Sequence, residues 1–324
     1  MRTSNEFSDL TSVIALEPEP DRFFVEFMPL FHDAVEQSGA IVSPLSDATR
    51  GLVWCSNRNQ DALERVVRQH PSIRWVQLPF AGVDPFVSTI RRVNREGLVW
   101  TSAKGAYARP VAEHALALTL ALLRVFPKRI RAHSWARKPE GISLYGLNVV
   151  IVGAGGIALE LIRLLQPFDV AITVVRRSSL AVPGARVTVS SDQLHAVLPT
   201  ADVVVLAAAL TDETHSLIGS EELALLKPSA CLVNIARGGV IDTQALVDAL
   251  TVGAFAGAGL DVTDPEPLPD GHPLWSLDNV VITPHQADTP QMVAPLLAER
   301  IRVNTAAFHD GGGFVGVVDP EVGY

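Results

Sequence analysis

The sequence predicts an α/β protein of two doubly wound parallel-sheet domains, on three observations. Short apolar runs alternate with helical spacings along most of the chain, the pattern of parallel strands joined by crossover helices. One run, Val149-Val150-Ile151-Val152, passes directly into Gly153-Ala154-Gly155-Gly156-Ile157-Ala158 and then into a helical pattern. The 324 residues are 48% hydrophobic and 19% charged, enough apolar material for two cores and too little charge for a disordered chain.

In order, Ser12 to Leu16 reads as a strand, Phe23 to Gln37 as a helix and Ala40 to Val42 as a short strand. Gly51 to Trp54 is a strand, Asp61 to Gln69 a helix, and Trp75 to Leu78 a strand that ends in the turn Pro79-Phe80-Ala81-Gly82. Leu98 to Thr101 closes the first set. A long helix is expected from Pro110, since proline suits a first turn and Glu113 then lies where the helix dipole favours an acid. From Val111 to Phe126 the pattern is apolar nearly all round, so this helix is expected to be buried against the other domain or a second subunit. Trp135 is expected to pack. Leu147 to Val152 opens a second set, with later strands at Ala171 to Val175, Val203 to Ala208, Cys231 to Ile235, Gly257 to Asp261 and Val280 to Thr283. A last helix runs from Pro290 to Phe308, and the tail Asp310-Gly311-Gly312-Gly313 is flexible by composition.

Composition excludes several functions. A net charge of -9 argues against nucleic acid or an anionic membrane as the main partner. The longest apolar helical stretch, Ala115 to Leu123, is too short to span a bilayer. Met1 to Leu10 carries Glu6 and Asp9 and lacks the apolar core of a signal peptide. Cys55 and Cys231 read as buried thiols of a reducing cytoplasm, and no cysteine–histidine spacing calls for a metal.

Gly153-Ala154-Gly155-Gly156-Ile157-Ala158 has the form G-x-G-x-x-A. Gly153 makes the tight turn, Gly155 lets backbone approach a pyrophosphate, Ala158 lets helix and strand pack closely, and after Gly156 and Ile157 of the loop the helix Leu159 to Leu165 points its amide-rich end at the phosphates. Such a loop binds a dinucleotide. An acid about 20 residues on holds the ribose hydroxyls in NAD sites. Here the next strand ends instead in Arg176-Arg177-Ser178, which suits a 2′-phosphate and predicts NADP over NAD.

Three polar residues lie between Cys231 and Ala287, each after an apolar run. They are Arg237 in Ala236-Arg237-Gly238-Gly239, Glu266 in Asp264-Pro265-Glu266-Pro267, and His285 in Thr283-Pro284-His285-Gln286. Ligands of open α/β sheets bind beyond the carboxyl ends of the strands, where these residues would converge. A fixed cation can hold a carboxylate and polarise a carbonyl, a histidine can move a proton, and a carboxylate can orient that histidine.

These segments resemble the D-isomer-specific 2-hydroxyacid dehydrogenase family, which contains glyoxylate/hydroxypyruvate reductases and phosphoglycerate dehydrogenases. The resemblance runs from about Trp75 to Ala287 and also covers Ala81-Gly82-Val83-Asp84, Val111-Ala112-Glu113-His114 and Leu225-Leu226-Lys227-Pro228. It implies a Rossmann domain for NAD(P) over 108–286. A discontinuous, flavodoxin-like substrate domain would cover 1–107 and 287–324, with a cleft between the two and hinges near Ala106–Arg109 and Gln286–Thr289. It implies hydride transfer between a nicotinamide and a small 2-keto or 2-hydroxy acid, glyoxylate or hydroxypyruvate being the expected substrates. His285 would be the general acid or base, Glu266 would hold its other ring nitrogen, and Arg237 would hold the substrate carboxylate.

By the same resemblance Asp261 lies near the nicotinamide amide, Ala236 lies under the ring through its backbone, and Thr211 lies near the adenosine ribose or caps the turn after it. The backbone amides of Ala81 and Gly82 would grip the substrate carboxylate, while Trp54 either walls the pocket or packs in the core. A homodimer is implied. Two departures stand out. Pro110 occupies a position where many relatives place a hydroxyl, and the loop Cys55-Ser56-Asn57-Arg58 has one basic residue, which argues against a phosphorylated substrate. With Tyr324 the last residue, no regulatory domain is expected to follow. His114 is expected to be a satisfied core or interface histidine. The rival readings are a dinucleotide-sensing corepressor-like protein, or the same chemistry on bulkier 2-keto acids or phosphoglycerate.

Overall fold

A computed structural model describes residues 12–18, 23–56, 58–135 and 138–321. The N-terminal stretch Met1 to Leu10 and Asn57 of the Cys55–Arg58 loop lie outside the described residues. The chain divides into two compact units, Met1–Tyr107 with Thr289–Tyr324, and Ala108–Asp288.

The first unit builds strands β1 (Val13–Glu17), β2 (Ile41–Val42), β3 (Gly51–Trp54), β4 (Trp75–Gln77) and β5 (Val99–Thr101). Helices α1 (Met28–Glu36), α2 (Gln60–Gln69) and α3 (Val87–Val93) connect them. All pairings are parallel, in the order β2-β1-β3-β4-β5. That is the doubly wound order in which the chain starts one strand in from an edge. The predicted first helix forms late: Val25–Phe27 is a 3-10 turn, and Pro29 sits in the first turn of α1, where its missing N–H costs nothing. The sequence reading overlooked α3.

The second unit begins with α4 (Ala108–Leu123) and α5 (Phe126–Ile130). Its strands are β6 (Asn148–Val152), β7 (Ala171–Arg176), β8 (Val187–Ser190), β9 (Val203–Leu206), β10 (Cys231–Asn234), β11 (Gly257–Leu260) and β12 (Val280–Ile282). Helices α6 (Gly156–Leu165), α7 (Leu194–Val197), α8 (Ser220–Ala224) and α9 (Thr243–Thr251) lie between them. This sheet is also wholly parallel, in the order β12-β11-β10-β9-β6-β7-β8. Strand β6 thus lies at the switch point, where order reverses and ligands bind. Both sheets match the expected α/β class. The edge strand β8, too short to stand out in sequence, was not anticipated.

Local sequence explains these elements. Val149 to Val152 is buried throughout, as a central parallel strand requires. Helix α6 buries Ala158, Leu161, Ile162 and Leu165, one stripe at helical spacing. Asp242 caps α9, accepting from the Ala245 amide at 3.0 Å.

The long helix corrects one expectation. It starts at Ala108, two residues earlier than predicted, with Pro110 still in its first turn. Within the single chain, where no second subunit is present to cover it, it buries one stripe: Val111, Ala112, Ala115, Leu118, Thr119 and Leu122 are buried, and Ala117 is exposed. Gly259 of β11 makes room for it, since a Cβ there would meet the Leu118 Cβ at 3.1 Å. The helix breaks at Val125, whose φ of 57° is left-handed. Trp135, expected to pack, is 94% exposed.

A final helix, α10 (Pro290–Asp310), returns to the first unit and packs on α1. Asn304 on α10 donates to the Gln77 side chain at 2.8 Å, and Thr101 donates to the same oxygen at 2.9 Å. This satisfied buried network joins helix to sheet. No described helix is long and apolar enough to cross a membrane.

Candidate active site

Register assembles the site. Asn234 of β10 pairs with Leu260 of β11, and Leu260 pairs with Ile282 of β12, so three adjacent strands end level. The segments beyond them carry Arg237, Glu266 and His285 to one edge of the sheet. On the far side, Val152 of β6 is level with Leu206 of β9 and Val175 of β7, which sets the glycine loop and Arg176 on that same edge.

His285 and Glu266 meet directly, with Nδ1 to Oε1 at 2.6 Å. Both remain accessible, at 48% and 42% side-chain exposure, and the imidazole Nε2 has no hydrogen-bond partner among the described residues. The Glu266 carboxylate accepts, so Nδ1 carries a proton. His285 is left-handed at φ 51°, held there by its amide, which donates to the Asp261 carbonyl at 2.7 Å.

Arg237 sits on a braced loop. Asn234, fully buried, accepts from the Ala236 amide at 3.0 Å and donates to the Arg237 carbonyl at 2.9 Å. The Arg237 guanidinium donates to the Ala236 carbonyl at 2.7 Å. Gly238 explains the glycine pair: a Cβ there would lie 1.9 Å from the Thr263 carbonyl oxygen, so only glycine lets this loop press against the segment leading to Glu266. The sequence reading overlooked Asn234, although an asparagine inside Val233-Asn234-Ile235 is an anomaly in a buried strand.

Asp261, 3% exposed, accepts from the Thr283 hydroxyl at 2.7 Å and from the amides of Gln286 at 2.8 Å and Ala287 at 3.2 Å. Burial by itself would push this carboxyl up, but hydrogen bonds from His114, Thr283 and the Gln286 amide outweigh it and hold it below the ordinary range. The structure therefore shows Asp261 anchoring the His285 turn. Asp288, three residues past His285, was also overlooked. Burial pushes its carboxyl up, and it feels the charges of His285, Asp261, Arg237 and His114.

The glycine loop fits a dinucleotide. Gly153 has φ 113°, and a Cβ on it would strike the Ala207 carbonyl at 2.5 Å. A Cβ on Gly155 would meet nothing within 4 Å, so the space over the amino end of α6 is open to a phosphate. Gly156 and Ile157 form the first turn of α6. Arg176 ends β7 half-buried, Arg177 is exposed and Ser178 half-buried. Among the described residues neither guanidinium has a hydrogen-bond or ion-pair partner. Thr211 lies in a turn closed by Thr214, whose hydroxyl accepts from the Thr211 amide at 2.8 Å. Ala236 is buried.

In the first unit, Ala81 and Gly82 are half-buried, and their amides have no intramolecular acceptor among the described residues. Their turn is fixed by Tyr107, which donates to the Pro79 carbonyl, and by the Ala103 amide, which donates to the Phe80 carbonyl at 3.1 Å. Trp54 corrects the pocket-wall reading: it is 1% exposed, packed in the core with Leu52, Leu63 and Val76.

The model of the D-isomer-specific 2-hydroxyacid dehydrogenase NAD-binding domain matches residues 115–287. An uncharacterized Corynebacterium melassecola protein is 43% identical over 258 residues, covering 78% of this chain and 84% of its own. A glyoxylate reductase of Pyrococcus furiosus is 36% identical over 259 residues, with 76% of each chain covered. A D-isomer-specific 2-hydroxyacid dehydrogenase of Xanthobacter autotrophicus, crystallised with NADPH and MES, superposes with a TM-score of 0.80 at 25% identity, covering 97% of this chain and 100% of that one. The chain belongs to the D-isomer-specific 2-hydroxyacid dehydrogenase family and is an NAD(P)-dependent dehydrogenase.

Proposed function

We propose that the protein reduces a small, unphosphorylated 2-keto acid such as glyoxylate or hydroxypyruvate, with NADPH as the preferred reductant. The observation that carries this is the 2.6 Å His285–Glu266 pair, in segments that follow β11 and β12, whose ends are level with that of β10 before Arg237. When bound, the dinucleotide supplies the hydride. His285 Nε2 gives a proton to the developing alkoxide and takes it back in reverse, while Glu266 keeps Nδ1 protonated and stabilises the imidazolium. Arg237 holds the substrate carboxylate and polarises the carbonyl. Gly153, Gly155, Gly156 and Ile157 cradle the pyrophosphate, with Ala236, Asp261 and Thr211 along the rest of the dinucleotide. In the first unit the Ala81 and Gly82 amides are the candidate donors to a carboxylate.

The guanidinia of Arg176 and Arg177, which have no hydrogen-bond or ion-pair partner among the described residues, support with the Ser178 hydroxyl a preference for a 2′-phosphate. The Xanthobacter relative holds NADPH, and the Pyrococcus relative acts on glyoxylate. We also infer a homodimer in the cytoplasm. Phe126, Ile130, Trp135, Ile142 and Tyr145 are all exposed, which leaves apolar side chains that a second copy would cover.

The test is loss of reduced-nicotinamide absorbance with NADPH and NADH in parallel, against a panel of 2-keto acids. NADPH oxidation by glyoxylate or hydroxypyruvate is expected. Activity with NADH alone would discard the 2′-phosphate reading. Dinucleotide binding with no turnover on small or bulky acids would discard the enzyme reading in favour of a dinucleotide sensor.

A further inference from the structure

Behind the His285 turn lies a side-chain relay that the chemistry does not itself use. Residue 261 holds the turn at three points: its carbonyl takes the His285 amide at 2.7 Å, and its carboxylate takes the amides of Gln286 at 2.8 Å and Ala287 at 3.2 Å. The left-handed backbone of His285 disfavours a side chain, so the turn needs this anchorage. The same carboxylate receives the Thr283 hydroxyl at 2.7 Å. Thr283 in turn meets Nε2 of His114, on α4, at 2.8 Å, with that nitrogen 3.4 Å from Asp261 Oδ1.

Proton counting fixes the direction of this chain. An ionised Asp261 only accepts, so Thr283 gives it the single hydroxyl proton. The Thr283 oxygen is then an acceptor, and His114 must carry its proton on Nε2. The relay runs from His114 to Thr283 to Asp261, whose buried carboxylate also accepts from the two amides, so that both of its oxygens are satisfied.

We propose that His114 and Thr283 are positioning residues, which through Asp261 set the turn that presents His285 to the substrate. This rests on the reading of His285 as the proton donor. Among the described residues neither side chain hydrogen-bonds the His285 ring, and His114 belongs to a different element, 171 positions earlier in the chain.

The test compares Thr283→Val, which keeps the shape and loses the hydroxyl, with Thr283→Ser, which keeps the hydroxyl. His114→Phe and His114→Gln make the matching pair, glutamine retaining an N–H donor. Three readouts are taken on the full chain: kcat and KM for the 2-keto acid, dinucleotide Kd by fluorescence titration, and amide exchange of the peptide over 284–288. Thr283→Val should lower kcat about ten- to a hundredfold, the scale on which a displaced catalytic group acts. Its KM and dinucleotide Kd should stay within about threefold of wild type, a margin set by the absence of direct contact, and exchange over 284–288 should speed up. His114→Phe should shift the same readouts less, and Thr283→Ser and His114→Gln should restore most of the loss. Equal damage from Thr283→Val and Thr283→Ser would overturn the relay in favour of packing, and so would wild-type kcat and exchange in Thr283→Val and His114→Phe. If wild type turns over none of the acids, the functional reading fails, and exchange over 284–288 alone decides the relay: faster in both variants supports it, unchanged overturns it.

Discussion

Replacing Gly238 by alanine tests how the Arg237 loop is placed. A Cβ there would lie 1.9 Å from the Thr263 carbonyl oxygen, 2.0 Å from its carbonyl carbon and 2.5 Å from the Asp264 nitrogen. All three are backbone atoms, so no rotamer change relieves the clash. Since Cβ contacts below 3.0 Å essentially do not occur, one loop must move by roughly an ångström. Overpacking of this kind costs about 1–3 kcal/mol and occasionally more. A shift of that size at a substrate-holding group costs about a hundredfold in rate. Gly238→Ala should therefore lose about 2–3 kcal/mol in urea unfolding and about a hundredfold in kcat. Dinucleotide Kd should change less than kcat, because the glycine loop that cradles the pyrophosphate adjoins β6, two strands away from β10, and only Ala236 on the shifted loop lies along the dinucleotide. Gly313→Ala is the control, since a Cβ there meets nothing within 4 Å. Wild-type kcat in Gly238→Ala would refute the claim that this close approach fixes Arg237.

The same geometry sets other expectations. His285→Ala and Arg237→Ala should each lower turnover by about two to four orders of magnitude with dinucleotide affinity retained; wild-type turnover in either refutes the assigned roles. Glu266→Gln should lower kcat by about ten- to a hundredfold, since it keeps shape but loses the charge that stabilises the imidazolium. Arg176→Ala with Arg177→Ala should raise KM for NADPH about tenfold or more and leave KM for NADH unchanged; equal effects on both would show that the pair is merely solvated. Burial raises the Asp288 carboxyl, so its contribution to stability is present below the unfolded pKa and lost as pH rises through the folded one. Asp288→Asn should therefore unfold at a higher temperature than wild type near neutral pH, with the gap closing in acid. A gap independent of pH would refute that.

Much of this protein was legible in its sequence because parallel strands buried on both faces must be continuous apolar runs. Val149 to Val152, Cys231 to Val233 and Val280 to Ile282 could be located on that ground, and the polar residues just past each run had to lie at a strand end. The glycine loop was legible because close backbone approach demands small residues whatever the remaining context. The edge strand β8 was not, since few residues buried on one side leave little pattern. The limits of α4 escaped for a related reason: apolar residues beyond its buried stripe made it look buried all round, while Trp135 carried no local sign that it would be left exposed.

Sequence by itself therefore determined the class of fold, and it singled out the glycine loop and the arginine, glutamate and histidine as candidates, because each depends on residue type and on local spacing. Tertiary structure decided how they are held. The level ends of β10, β11 and β12 place the three segments side by side, and the contact of Gly238 with Thr263 fixes the first loop. The bonds from His114 through Thr283 to Asp261 fix the turn of His285. Register and hydrogen bonding between residues far apart in sequence depend on where strands pair and how closely loops pack, and no single segment encodes that.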